Sequence, residues 1–555
     1  MSEELKPVLI AGAGPTGMMA AIELSRFNIP VRLIEKKAEP DTTSRAIGVQ
    51  ARTLELLEQR GLGSSLVKIG NPGLAFSLYG DGERIWRLDF ERISSKYNYL
   101  LFVSQAETEN VLREALDKAG VTIERNLTFL ALGQTDRDAK LTAVLQHADS
   151  SLEQFECSYL IDAEGAHSIA RGTVGLHFEG NSHVEAYALG DLHIDGDLVE
   201  TDFHIFSSEL GFMSMFPMGR RRFRVMADNP ISHQSDGTRP SLEEFQQIYD
   251  QRSHIPAKFR DMSWSSWFRI NSRMVNRLQV GRVFLGGDSA HIHSPAGAQG
   301  MNTGMQDMMN LCWKLAMVMK GQANPELLET FSRERIPVIQ MVLKKTEDTN
   351  DAIASKSRLF RSVFNHIAPW LVGMENVQHN AAEHMSQLAL NYRESPLSVL
   401  GGSSGQLRAG DRLPDLPVTL LHSEGSSETQ PRPATIFRLL SPSFFTLLYC
   451  NIPDPAKTHS EIQSALGPWL HMMRGHLIAA KPGHDGSEKY FGAAPLIILV
   501  RPDGYAAFTG SDNSSAKLAK FCEKWLVPET SSGKAENAHA YVQAQLRTGI
   551  KPLRG

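Results

Sequence analysis

Three stretches of this 555-residue chain set glycines and a carboxylate at the end of an apolar run. Gly12-Ala13-Gly14-Pro15-Thr16-Gly17 follows Val8-Leu9-Ile10-Ala11, and Glu35 closes the next apolar run, Val31 to Ile34. Gly12 permits a tight turn, Gly14 lets backbone approach a pyrophosphate, and Gly17 lets a helix pack on a strand. Free N–H groups and a partial positive charge at the helix start attract the phosphates. Glu35 is spaced to accept hydrogen bonds from a ribose diol. The second stretch, Asp162-Ala163-Glu164-Gly165-Ala166-His167-Ser168-Ile169-Ala170-Arg171, is another strand-to-helix turn with a carboxylate and a glycine. The third is the densest. Gly286-Gly287-Asp288-Ser289-Ala290-His291 follows the apolar Val283-Phe284-Leu285, and Ser294-Pro295-Ala296-Gly297-Ala298-Gln299-Gly300-Met301-Asn302 comes soon after. Asp288 can hold a sugar-like hydroxyl chain. A glycine-rich loop entering a helix aims several N–H groups at one point, which suits a bound group that becomes anionic.

The elements that must position these groups follow from periodicity. Strand, turn, helix (Met18 to Arg26) and second strand make one dinucleotide-binding unit. Arg45 opens a segment leading to a helix at 51–60 and is either a surface arginine or a ligand for a pyrophosphate or anionic substrate. A helix at 104–119 has Ser104 as N-cap and Gln105 in its first turn. An amphipathic helix runs from about Asn302 to Gly321, with Met305, Met308, Cys312, Leu315, Ala316 and Met319 on its apolar face. Residues 71–103 and 178–275 alternate like sheet strands, with a hairpin signal at Gly80-Asp81-Gly82. They read as one β domain built from two insertions that covers a substrate. His204 and Arg224 lie on its strands. Phe206, Met213, Met215, Phe216, Trp264 and Trp267 could line an aromatic pocket, with core packing an equal reading for each.

The composition excludes several classes. With 42% hydrophobic and 21% charged residues and a formal net charge of −5, the chain is neither disordered nor a nucleic-acid binder led by electrostatics. Cys157, Cys312, Cys450 and Cys522 form no C-x-x-C pair and no ligand cluster, so no metal is expected. No signal peptide or membrane-spanning stretch is read, which implies a soluble cytoplasmic protein with no membrane partner.

Taken in order, GAGPTG with Glu35, EGAHSIAR, and GGDSAHIHSPAGAQGMNTGMQD running into NLCWKLA resemble the group A flavoprotein aromatic hydroxylases, the p-hydroxybenzoate hydroxylase and phenol hydroxylase superfamily. The resemblance covers residues 5 to 400. The tail with LVRPDGYAAF is similar to the C-terminal thioredoxin-like domain of the phenol and polyketide hydroxylase branches. This implies an α/β fold with a Rossmann-like FAD-binding domain and helical extension (1–70, 104–177, 276–395), the inserted mostly-β substrate domain (71–103, 178–275), and a thioredoxin-like domain without CxxC (396–555). It implies FAD as cofactor, NADPH or NADH as co-substrate, and a small aromatic substrate hydroxylated with O2 through a flavin C4a-hydroperoxide. The alternative is a flavin oxidase or dehydrogenase on the same scaffold. By the same resemblance Gly12, Gly14, Gly17, Glu35, Arg45, Gln105, Glu164, Asp288, Gly300, Met301 and Asn302 bind FAD. Pro295, Gly297 and Gly300 form the loop at the flavin face, His167 and Arg171 serve the pyridine nucleotide, and a homodimer is common. His204, Phe206, Met215 and Arg224 are the substrate candidates; no phenol-activating base is named. The family's middle motif has Asp before its glycine, where this chain has Glu164.

Overall fold

Strand register brings the three glycine–carboxylate turns together. In a computed structural model, which describes residues 5–41, 46–80, 82–133, 141–228, 239–293, 299–354, 375–402, 405–424, 430–481 and 486–529, a six-stranded sheet runs Gln279–Val280, Val283–Leu285, Tyr159–Asp162, Val8–Ala11, Val31–Glu35, Ile123–Arg125. All but the first are parallel. In chain order the parallel strands therefore lie third, second, first, fourth, fifth. Ala11 is opposite Asp162, and Asp162 is opposite Leu285. The turns that follow these residues start side by side at the carboxyl end of the sheet, where open α/β sheets bind ligands.

The first turn works because two glycines leave no Cβ between neighbouring chains. Gly12 has φ +101°, and a Cβ there would stand 2.3 Å from the Ala163 carbonyl oxygen. A Cβ on Gly17 would stand 1.8 Å from the Gly12 oxygen. The helix Pro15–Arg26 thus lies directly on its strand, and the helix Gly300–Met319 packs against it in turn. This central helix differs from its expected amphipathic form. Every residue from Asn302 to Val318 is buried, because the helix Glu329–Ala354 and the C-terminal unit cover the face that its polar residues occupy.

An eight-stranded sheet stands over the carboxyl end. Its order is His291–Ile292, Ala257–Met274, Glu179–Gly196, Arg222–Asp228, Gly211–Pro217, Asp202–Ser208, Ala75–Gly80, Glu83–Asp89. The helix Leu242–Arg252, closed by a Ser241/Glu244 capping box, covers its outer face. Leu100–Phe102 and Asn71–Gly73 do not join this sheet. They pair with each other, and Leu100–Phe102 also pairs with Gly48–Val49, in a small sheet at the junction.

The C-terminal residues form a seven-stranded sheet: Val399–Leu400, Ala506–Gly510, Leu496–Val500, Phe445–Cys450, Met473–Ala480, Pro417–Ser423, Arg432–Thr435. Phe445–Cys450 and Met473–Ala480 are parallel across the helix Pro455–Leu466, and Leu496–Val500 is antiparallel to Phe445–Cys450. All four cysteines are buried and free. Among the described residues no helix is long and apolar enough to cross a membrane, and no group of His, Cys, Asp or Glu could hold a metal.

The contact at Gly17 gives a direct expectation. Gly17→Ala must push the first helix off its strand and lose about 1–3 kcal/mol of stability, read as a lower urea midpoint. An unchanged midpoint would contradict the contact.

Candidate flavin and substrate site

Burial alternates along the first turn. Ala11, Ala13, Pro15 and Gly17 are buried, while Gly12, Gly14 and Thr16 are partly open to the crevice. A Cβ on Gly14 would meet nothing within 4 Å, which leaves room for a pyrophosphate. No side chain caps the helix that starts at Pro15, so its first N–H groups are available to an anion. Glu35 is fixed at the end of its strand by N–H donors from Ala13 (2.9 Å) and Lys37 (3.0 Å). Asp288 is the single exposed residue in an otherwise buried run from Val283 to His291, at the turn that leaves the carboxyl end of its strand. Gln105 donates to Glu109 Oε1 at 2.9 Å, and burial raises the Glu109 carboxyl above its ordinary value. A cradle for two phosphates, a diol acceptor and a polyol acceptor along one crevice fits FAD. Arg45, Pro295 and Gly297 lie outside the described residues.

The second turn is spent on the fold. Glu164 Oε2 accepts from the N–H of Ala170 (2.9 Å) and Ile169 (3.1 Å) and from Ser168 Oγ (3.3 Å). The carboxylate expected at the cofactor thus sits at the start of the short helix Ile169–Thr173 and caps it. Asp162 accepts from Glu164 N and from Ser168 Oγ (2.6 Å). Burial first, then the Glu164 charge, push the Asp162 carboxyl up to about 7. The Arg171 guanidinium, expected at the pyridine nucleotide, donates to the Ser289 and Ala166 carbonyls and stacks 3.9 Å over Phe178. His167 is exposed beside it.

At the third turn Gly300 and Met301 are partly open and no side chain caps the helix start. The Asn302 side chain is fully buried: its Oδ1 accepts from Gln50 N and its Nδ2 donates to the Gly48 carbonyl, both at 2.9 Å. It fastens the helix start rather than turning toward a ligand. Sequence reasoning missed the residues that continue this fastening. Gln306, Asn310 and Lys314 follow at intervals of four, all buried, and Asp307 lies one residue beyond Gln306. Asp307 pairs with Arg335 Nε (2.7 Å) and His291 Nε2 (2.8 Å) and accepts from Gly287 N (3.2 Å). Burial works to raise the Asp307 carboxyl, but Arg335 and then His291 hold it below its ordinary value. The signal available in the sequence was a polar residue at every fourth position of an apolar helix.

The eight-stranded sheet sorts the substrate candidates by face. Phe206, Met213 and Met215 pack with Phe245 and Tyr249 of the outer helix. His204 is on that face too, stacked near Phe206, with Nε2 bonded to the Val199 carbonyl at 2.8 Å. Burial holds its pKa below the ordinary value. His204, Phe206 and Met215 are therefore core residues, because strand parity turns them away from the crevice. The opposite face meets the cofactor domain. Phe203 and Phe216 stack at 4.6 Å with Phe102 against both (6.3 and 6.0 Å), and Tyr187 lies between Phe212 and Phe268. Arg224 is on this face, gripped by Asp191 at 2.7 and 2.8 Å and donating to the Ala46 carbonyl at 3.4 Å, with Trp264 Nε1 also on Asp191 at 2.9 Å.

A glycine-rich parallel sheet with a second sheet closing its carboxyl end defines a flavin-binding oxidoreductase. Residues 6–346 match the family described as "FAD binding domain". The chain is 30% identical to 6-methylpretetramide 4-monooxygenase of Streptomyces rimosus over 98% of both chains. It is 31% identical to pentachlorophenol 4-monooxygenase of Sphingobium chlorophenolicum over 74% of this chain and 75% of that one. Among solved structures, OxyS anhydrotetracycline hydroxylase from Streptomyces rimosus superposes with a TM-score of 0.73 at 27% identity, covering 94% of this chain and all of that one. The chain belongs to this FAD-binding family, as one of its group A aromatic monooxygenases.

Asp162 has a consequence for stability. From about pH 4, where an unfolded aspartate ionises, up to about pH 7, the folded chain keeps a proton that the unfolded chain has lost. This group's contribution to stability therefore falls as pH rises across that window. Asp162→Asn should flatten the pH dependence of the urea midpoint between pH 5 and 7 and raise the midpoint at pH 8.

Proposed function

We propose that this monooxygenase hydroxylates a polycyclic phenol of the polyketide type, with NADPH or NADH as reductant. The observation that carries the substrate class is the aromatic face of Tyr187, Phe203, Phe212, Phe216 and Phe268 opposite the cofactor crevice. Fused rings gain from such a wall by apolar burial and by offset stacking. The end-to-end match to 6-methylpretetramide 4-monooxygenase points the same way.

FAD, when bound, supplies the activation of O2. The chain's own residues do the rest. The start of the central helix at Gly300 and Met301 offers N–H groups to negative charge that develops in the crevice. The eight-stranded sheet closes the crevice against water. Arg224, oriented by both Asp191 oxygens, is the candidate to favour a phenolate over a phenol, since a nearby cation lowers a phenol's pKa. The C-terminal sheet reads as thioredoxin-like: its four strands from Phe445 onward are ordered fourth, third, first, second, with the third antiparallel. Asn451-Ile452-Pro453-Asp454-Pro455 stands where a redox Cys pair would follow the first strand, so no dithiol chemistry is assigned to it.

The test is NAD(P)H oxidation by the FAD-loaded protein against monocyclic and polycyclic phenols, with H2O2 measured alongside. Stimulation by a polycycle, little peroxide and a product heavier by one oxygen are expected. Preference for a monocycle would overturn the substrate class, and stoichiometric peroxide with every compound would favour an oxidase. Side-chain changes should follow the faces of the sheet. Phe216→Leu should raise KM for the stimulating compound about tenfold, whereas Met215→Leu, on the outer face, should leave it unchanged.

A further inference from the structure

Besides the Arg412–Glu55 pair and the backbone contacts of Trp525 to Val527 with Gln322 to Asn324, the C-terminal unit reaches the cofactor domain through a buried turn, Arg501-Pro502-Asp503-Gly504-Tyr505. Arg501 is 2% exposed and grips Glu334 of the 329–354 helix through both terminal nitrogens, at 2.6 and 2.9 Å. It is also paired with Asp503. Glu334 in turn accepts from two residues of the central helix, Asn310 and Lys314, both at 2.7 Å, and from Ser395 Oγ at 2.6 Å. Burial pulls Lys314 down to about 8 against the opposing pull of Glu334. The Asp503 carbonyl accepts from Arg52 at 3.2 Å, and the Arg52 guanidinium lies 4.6 Å over the Tyr505 ring.

A second line leaves the same turn. The Tyr505 ring is 4.4 Å from that of Tyr392. Tyr392 Oη accepts from Arg335 at 3.0 Å, Arg335 holds Asp307, and Asp307 accepts from Gly287 N, the residue before Asp288. Arg335 also donates to the Thr303 carbonyl in the first turn of the central helix. Nothing in the chemistry of the reaction asks for these charges. Buried ion pairs seldom add net stability over apolar packing, though breaking one is costly. What such pairs do well is fix geometry, because charged hydrogen bonds tolerate little displacement.

The geometry points to Arg501 and Asp503 as positioning residues of the FAD site. Through Glu334 and Asn310 they set the axial position of the central helix, whose uncapped start would offer its N–H groups to the bound flavin. Through Tyr505, Tyr392, Arg335 and Asp307 the same turn braces Gly287 and hence the Asp288 carboxylate. The C-terminal unit is then a structural part of the cofactor site, acting through the residues it holds.

The test compares Arg501→Met and the milder Asp503→Asn with Leu448→Ala, which hollows the core of the C-terminal sheet and touches none of this network. FAD affinity is read by flavin fluorescence, the midpoint potential of bound FAD by dye equilibration, and thermal stability alongside. The expected result is FAD affinity weakened about tenfold or more by Arg501→Met, a smaller loss and a shifted potential with Asp503→Asn, and neither change with Leu448→Ala at a comparable fall in Tm. If Arg501→Met does not fold, Asp503→Asn decides alone. The proposal fails if the network variants lose Tm while affinity and potential stay at their original values, or if Leu448→Ala weakens FAD binding as much at equal Tm. The readouts need no substrate, so they stand apart from the proposed substrate class.

Discussion

A helix buried along its length loses about 1–3 kcal/mol for each polar side chain left without a partner, a cost the central helix leaves standing only at the Trp313 Nε1 among the described residues. The helix Gly300–Met319 is such an element, and the molecule is assembled around meeting its demands. Asn302 takes Gly48 and Gln50, Gln306 takes Thr53 and Gln387, Asp307 takes His291 and Arg335, and Asn310 and Lys314 take Glu334. These partners come from segments far apart in the chain. Each must be in place before the helix can be desolvated, which couples the cofactor domain, the helical extension and the C-terminal unit.

The cofactor crevice depends on a shorter-range constraint. Ala11, Asp162 and Leu285 share a register across three parallel strands, so the turns that leave them converge without any long-range steering. Gly12 and Gly17 then allow backbone to touch backbone, and the first helix stands with its open N–H groups at the crevice. The carboxylates divide the work. Glu35 is held at its strand end by Ala13 and Lys37 and Asp288 is exposed, while Asp162 and Glu164 are drawn inward to hold the second turn.

On the eight-stranded sheet the decision is one of parity. His204 and Phe206 are two residues apart and share the outer core with Met213 and Met215, whereas Phe203, Phe212 and Phe216 lie one step out of phase and face the cofactor domain. Both faces are aromatic and buried, so an alternating strand pattern identifies the strands but not which set looks at the ligand. The Arg224–Asp191 pair marks the inner face only because Ala46 and Trp264 meet it there.

The sequence by itself determined the dinucleotide turn, the family, and most strands of the cofactor sheet and the eight-stranded sheet, though not the short Gln279–Val280 and His291–Ile292. These are local: a glycine at a required approach, a carboxylate at a strand end, an alternating run. It did not disclose that Glu164, Arg171 and Asn302 would be consumed by their own surroundings, because a side chain's partner is set by whatever segment packs nearest. Periodicity shows the polar residues Asn302, Gln306, Asn310 and Lys314 at every fourth position but not that they are buried, since a polar stripe on a helix normally faces water. Tertiary structure decided that when Glu334 and Arg501, 20 and 187 residues beyond Lys314 in the chain, closed over the stripe. Burial turned ordinary surface chemistry into the constraint that holds the site.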